Sequence, residues 1–238
     1  MAWKKVQTAG QRLVNDERGF DHVGIMVMVM VVFAVVGIYT LVHSSAMTCQ
    51  GGVVGSVDCP STAGQKIYAD GYAERGKPYC WDGGTIYGPS LDYPHPSSHS
   101  DAACRSGKIG FDCSGLVLYA VYRATSGGIK LTTSGIGSNG IQNHNTDQQV
   151  SMLNALARAS SPRVKKVAVG STYVTGDIIY YLTPGSTTSY HHVVIKAPTS
   201  GYGLDAHGDT TTPGNSQVGL YPLSSHTGKI GAVFRILR

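Results

Sequence analysis

Cys113 and its neighbours carry the strongest chemical signal in the chain. In Gly110-Phe111-Asp112-Cys113-Ser114-Gly115-Leu116-Val117-Leu118-Tyr119 a cysteine precedes an apolar run, and Leu116, Val117, Ala120 and Val121 recur at helical spacing. The pattern predicts a helix that starts at Cys113, with the Asp112 carboxylate accepting the free N–H groups of its first turn. A thiol placed there sits at the positive end of the helix dipole, which favours the thiolate and predicts a depressed thiol pKa. Cys113 is therefore a candidate nucleophile; the plain alternative is a buried structural cysteine.

Such a nucleophile needs a base to take its proton and return it to a leaving amine, and imidazole titrates in the right range. Of the nine histidines, the informative pair is His191-His192, inside the apolar run Tyr190-His191-His192-Val193-Val194-Ile195. Successive strand residues face opposite ways, so only one of the two can face the Cys113 helix. The following run, Leu204-Asp205-Ala206-His207, puts Asp205 and His207 on one strand face. Either could hold the far nitrogen of the base, and Asp205 would add charge to stabilise an imidazolium. His95 and His99, in a Pro- and Ser-rich stretch, read as solvated loop histidines.

These groups must be positioned by a folded domain, and the chain has further parts. Val23 to Val42 runs twenty residues without a charge. At about 1.5 Å per residue that run spans a hydrocarbon core of roughly 30 Å, so residues 23–43 read as a transmembrane anchor. Lys4, Lys5, Arg12 and Arg18 precede it, and no Lys or Arg follows until Lys66. That asymmetry places segment 1–22 in the cytoplasm and everything after the anchor outside the cell membrane. Ser44-Ser45-Ala46 resembles a cleavage site, but the apolar run exceeds a signal-peptide core, and an uncleaved anchor is the expectation. Residues 44–64 form a Gly-, Ser- and Thr-rich linker, and 65–238 the folded domain.

Five cysteines at positions 49, 59, 80, 104 and 113 suit an exported protein with two disulfides and one thiol. Cys49 with Cys59 and Cys80 with Cys104 are the pairings that leave Cys113 single, though spacing alone leaves other pairings open. No CxxC or close Cys/His pair suggests a metal site, and neither a metal nor an organic cofactor is expected. A net charge of +5 suits an anionic wall or lipid surface, while the lack of a basic block argues against nucleic acid.

Inside the domain, Gln65 to Arg75 predicts a helix ending at Gly76, and Gln148 to Ala159 a second one after the Cys113 helix. Thr85 to Lys108 reads as a long surface excursion. Short β-prone runs follow at Arg163 to Val169, Ile178 to Leu182, Tyr190 to Lys196, Tyr202 to His207 and Ala232 to Leu237. Helices first and strands later predict an α+β fold with an antiparallel sheet.

Four segments in this order resemble a known family. Phe111-Asp112-Cys113-Ser114-Gly115-Leu116-Val117 is similar to the signature of the NlpC-type cysteine peptidases, the papain-like cell-wall hydrolases. Gly76 to Gly84 resembles their G-x-P-Y-x-W-G-G stretch, with Asp82 where glycine is usual. Gly176-Asp177-Ile178-Ile179-Tyr180-Tyr181 resembles their P-G-D-L-V-F-F strand, with Thr175 for proline, and His192-Val193-Val194-Ile195 their H-V-G-I strand, with Val194 for glycine. The likeness covers roughly residues 65–210.

The resemblance implies a papain-like α+β domain that cuts amide bonds in peptidoglycan stem peptides, typically between D-γ-glutamate and a diamino acid. It assigns the nucleophile to Cys113, the base to His192 and the third polar position to Asp205, with Tyr79, Asp112 and Ser114 holding substrate. His191 as base and His207 as orienter are the alternatives. The Thr85 to Lys108 insertion and the long gap from Cys113 to His192 would reshape the groove. Peptidoglycan and, through the anchor, the membrane are the expected partners, with membership of an envelope-spanning secretion or division complex as a further expectation. Rival readings are a peptidoglycan amidase or acyl transferase on the same fold, or a non-catalytic wall-binding module.

Overall fold

A computed structural model describes residues 61–91, 99–160, 162–208 and 216–237. The predicted anchor at 23–43, the segment 1–22 before it, nearly all of the linker and the Cys49–Cys59 pairing lie outside the described residues. Among the described residues no helix is long and apolar enough to cross a membrane.

The observed order is α1 (Thr62–Tyr72), α2 (Ala102–Arg105), α3 (Cys113–Ala124), α4 (Thr146–Ala157), β1 (Val164–Val167), β2 (Ile178–Leu182), β3 (Tyr190–Lys196), β4 (Tyr202–Ala206), β5 (Val218–Pro222), a 3-10 turn (Leu223–Ser225) and β6 (Ile230–Ile236). The six strands form one antiparallel sheet in the order β1-β6-β2-β3-β4-β5. Helices first and an antiparallel sheet later is the α+β arrangement expected. The strand β5 and the short helix α2 were not anticipated. Val218-Gly219-Leu220-Tyr221-Pro222 is interrupted by glycine and closed by proline, which masks its strand character, and it sits at the sheet edge where such residues are tolerated.

The helices start where their caps dictate. Ser61 accepts from Gly64 N at 2.9 Å and opens α1; Asn145 accepts from Gln148 N at 2.8 Å and opens α4. Both helices therefore begin two or three residues earlier than their apolar periodicity suggests. Asp112 caps α3 as predicted, its Oδ1 accepting from Gly115 N at 2.6 Å. Helix α3 is not one-sided: every residue from Cys113 to Val121 is buried, so it runs through the middle of the core. It packs against α1 on one side and against β3 and β4 on the other. Ile178, Tyr180, Val193, Ile195 and Leu204 meet it from the sheet, while Ile179, Tyr181, Val194 and Val233 build a smaller cluster on the sheet's far face.

Asp177 and Arg235 hold the sheet together from inside. Arg235 Nε donates to Asp177 Oδ1 at 2.7 Å and its Nη2 to Oδ2 at 2.8 Å, with both residues buried. A forked guanidinium against a carboxylate satisfies both charges at once. Asp177 thus serves the fold in the Gly176-Asp177 segment. Gly176 itself has φ +84°, and a Cβ there would lie 2.0 Å from the carbonyl oxygen of Gly64, so the chain at the start of β2 passes too close to α1 for any other residue.

Candidate active site

Cys113 is the first residue of α3, and its place depends on the loop before it. Gly83 O accepts from Asp112 N at 2.9 Å, and a Cβ on Gly115 would come within 2.0 Å of that same oxygen. Only glycine lets the first turn of α3 approach the 83–84 backbone this closely. The loop is pinned in turn by a disulfide between Cys80 and Cys104, whose Cα atoms are 5.5 Å apart, which ties the 85–108 excursion to the segment carrying Tyr79. Cys113 is the free cysteine among the described residues, and it is buried.

Strand β3 is irregular beside His192. Tyr181 pairs with His192 and Leu182 with Tyr190, so His191 is an extra residue without a cross-strand partner. This β-bulge breaks the simple alternation at His191. His192 and Cys113 line the same groove and interact electrostatically, each shifting the other's protonation. His192 Nε2 lies 3.0 Å from Asp205 Oδ2, which leaves Nδ1 as the nitrogen that faces the sulfur. His191 turns to Thr227, with Nε2 3.2 Å from Oγ1, and is exposed. Alternation alone would have sent one of the pair away from the site, yet both line its groove.

Of the two candidates for orienting the base, Asp205 makes the contact. It is wholly buried at the end of β4, and His207 Nδ1 sits 3.3 Å from the same Oδ2, so His207 contacts the carboxylate rather than the base. A fourth ring completes the cluster. His226 lies just past the 3-10 turn with its Nδ1 3.8 Å from Asp205 Oδ2 and its ring centroid 4.6 Å from that of His192. Its signal in the sequence was nil, since it stands in a Ser-, Thr- and Gly-rich stretch and comes to the site only when β5 and β6 close the sheet. Ligand atoms of His192, Asp205, His207 and His226 all lie within 4.8 Å of one another, a grouping that sequence spacing did not suggest.

Burial and charge set the protonation of these groups in opposite directions. Burial pushes the Cys113 thiol up, and the neighbouring His192 ring, which pulls it down, does not overcome that. The depressed thiol expected from the helix start is therefore not found, because burial of the sulfur outweighs the pull of His192. Burial would lower His192, but the Asp205 carboxylate and the Cys113 sulfur outweigh it and hold the ring protonated well above its usual range. For Asp205 the desolvation that would raise it is overcome by His192, with help from His207 and His226, leaving it far below the ordinary carboxylate range. His226 is lowered to about 4, chiefly by burial, and is neutral at physiological pH.

Tyr79, Trp81, Cys113, His191, His192, His207 and His226 line an open groove of about 340 Å³. Asp112 and Ser114 do not reach it. Asp112 Oδ1 accepts from Gly115 N and from Ser114 Oγ at 3.0 Å, and Ser114 Oγ lies 2.7 Å from His144 Nδ1. His144, unremarked in the sequence, is buried with its Nε2 donating to Gly84 O at 3.1 Å, so this network locks the first turn of α3 onto the 83–84 loop.

A thiol at the start of a buried helix, an imidazole on the sheet behind it and a carboxylate on the next strand define an α+β domain with a Cys–His–Asp line. The structural neighbours of this chain are NlpC/P60 domain proteins. One is RipB of Mycobacterium tuberculosis, described as a peptidoglycan hydrolase: 24% identity, 79% of this chain and 74% of that one covered, TM-score 0.48. Another is RipD of the same organism, described as a non-catalytic NlpC/p60 domain protein adapted to peptidoglycan binding, at 23% identity, 74% and 98% coverage and TM-score 0.47. A third is the P60 domain of a Mycobacterium avium subspecies paratuberculosis antigen, at 22% identity, 74% and 96% coverage and TM-score 0.45. A scan against protein-family models and a search of curated proteins give no match.

Proposed function

We propose that this chain is a cell-wall hydrolase that cuts amide bonds in peptidoglycan stem peptides, with Cys113 as nucleophile, His192 as base and Asp205 as its orienter. The observation that carries the reading is a groove that holds Cys113 and His192 together, with His192 Nε2 3.0 Å from a buried carboxylate. A wall-binding module has no use for a thiol and an imidazole held in that way.

In this scheme the attacking state is the thiolate–imidazolium pair, with the thiol's proton already on His192, and Sγ attacks the substrate carbonyl carbon. Negative charge builds on the carbonyl oxygen, where the Cys113 N–H at the helix start can donate to it. The ring then gives its proton to the leaving amine as the C–N bond breaks, and a thioester remains on Cys113. Water, deprotonated by the same ring, hydrolyses it and returns the thiol. Asp205 keeps the ring in one orientation and offsets its charge while it is protonated. The exposed ring of Trp81 and the buried Tyr79 form the groove wall beside the sulfur and are assigned to substrate contact. Asp112 and Ser114 are assigned to holding the helix start rather than to the substrate.

The D-γ-glutamyl to diamino-acid bond is the proposed cleavage point, resting on the motif resemblance at Gly76 to Gly84 and Phe111 to Val117. Residues 23–43 are proposed to anchor the chain in the cell membrane with segment 1–22 in the cytoplasm, 44–64 as tether and 65–238 facing the wall, where an envelope-spanning complex would confine its cutting. The test is digestion of purified wall fragments by the full chain, with product masses read on defined muropeptides. Stem-peptide fragments are expected from the parent and none from Cys113→Ala. Equal digestion by both would end the catalytic reading, and release of intact stem peptides from glycan would make the enzyme an amidase.

A further inference from the structure

We propose that His192, Asp205, His207 and His226 together form a binding site for a divalent transition-metal ion of the zinc type, one that blocks the Cys113–His192 pair when filled. Three imidazole nitrogens surround one carboxylate oxygen: His192 Nε2 at 3.0 Å, His207 Nδ1 at 3.3 Å and His226 Nδ1 at 3.8 Å from Asp205 Oδ2. A tetrahedral zinc site with arms of about 2.0–2.1 Å has edges of about 3.3 Å, so these separations match what zinc requires. The widest separation among the ligand atoms is 4.8 Å, which ring rotations must shorten before the ion is fully enclosed.

A second, independent observation concerns unmet polar groups. Asp205 Oδ1 and His226 Nε2 are both buried, and neither has a hydrogen-bond partner among the described residues. Leaving two buried polar atoms unsatisfied is costly in a folded core. An ion ligated by imidazole nitrogen and carboxylate oxygen recruits two side chains that each keep an unpartnered polar atom, the Asp205 carboxylate and the His226 ring. No sulfur is needed, because the four groups already offer three imidazole nitrogens and a carboxylate oxygen.

Filling the site changes what His192 can do. The metal takes the Nε2 lone pair and displaces the proton that bonds to Asp205, so the ring loses its orienter. The remaining Nδ1 proton then leaves only by forming an imidazolate, which is too basic to shuttle protons to a leaving amine.

The test is calorimetric titration of zinc chloride into the full chain stripped by chelator, with cobalt(II) absorption as a spectroscopic check on imidazole ligation. About one equivalent should bind to the parent and to Cys113→Ala alike. Replacing His207 or His226 by alanine should each weaken binding by at least about 10-fold. Should an alanine variant fail to fold by circular dichroism, His207→Gln or His226→Gln takes its place. Loss of binding in Cys113→Ala, binding that ignores changes at both 207 and 226, or no saturable uptake would overturn the site. Because Cys113→Ala suffices for the binding arm, the result stands apart from whether the chain cuts peptidoglycan.

Discussion

His192 Nε2 and Asp205 Oδ2 stand 3.0 Å apart across neighbouring strands, and the carboxylate is wholly buried. This contact both fixes the ring that meets Cys113 and holds it protonated. Replacing Asp205 by Asn keeps the shape but removes the countercharge, and kcat on wall fragments should fall about 10²–10⁴-fold. The imidazolium, no longer supported, gives up its proton at lower pH, so the alkaline limb of the kcat/KM profile should move down. His207→Ala should cost less, because His207 contacts the carboxylate and not the base. The measurement is kcat/KM against pH in chelator-containing buffer; an unmoved alkaline limb would show that Asp205 does not charge the ring.

The thiol should be a slow target in the resting protein. Burial raises Cys113 while His192 lowers it, and burial prevails. Iodoacetamide labelling at about pH 6 should be no faster than that of free cysteine and should climb as pH rises. His192→Ala should slow it further by removing the proton acceptor. Rapid labelling in mild acid would mean that the helix start, not burial, governs the sulfur.

Arg235 and Asp177 form a forked, buried ion pair between β6 and the start of β2. Arg235→Met strands a buried carboxylate and should cost about 3–5 kcal/mol in denaturant unfolding. The double change Arg235→Met with Asp177→Leu should recover much of that loss. A single variant as stable as the parent would show that the pair carries no weight.

Asp82 sits in the left-handed region at φ +52°, where glycine is at ease and other residues are strained. Asp82→Gly should stabilise the fold by about 0.5–1 kcal/mol, the relief of strain being partly offset by glycine's extra freedom when unfolded. Its carboxyl is also raised from 3.8 to about 6, by burial first and then by Asp112. A raised acid means that the folded state prefers the protonated form, so the parent loses stability as pH climbs between those two values. The advantage of Asp82→Gly should thus be larger at neutral pH than below 3.8, as read from thermal unfolding at both.

The local chemistry was legible in the residues themselves. The cap at Asp112, the start of α3 at Cys113 and the three strands at 178–182, 190–196 and 202–206 follow from short-range patterns, because caps, apolar periods and turn residues act over a few positions. Asp205 and His207 could be placed on one strand but not ranked, since rank depended on which of them the base would face.

Tertiary packing decided the rest. A one-residue bulge in β3, invisible to an alternation rule, leaves His191 without a cross-strand partner, and both His191 and His192 line the groove. Burial on every side of α3 raised a thiol that its helix position would have lowered. His144 and His226, unmarked in a linear reading, became a lock on the helix start and a fourth member of the histidine cluster. Sequence alone settled which groups exist and which element carries each, because those are local properties of a chain; distances between elements, and the dielectric around each group, exist only once the sheet has closed over the helix.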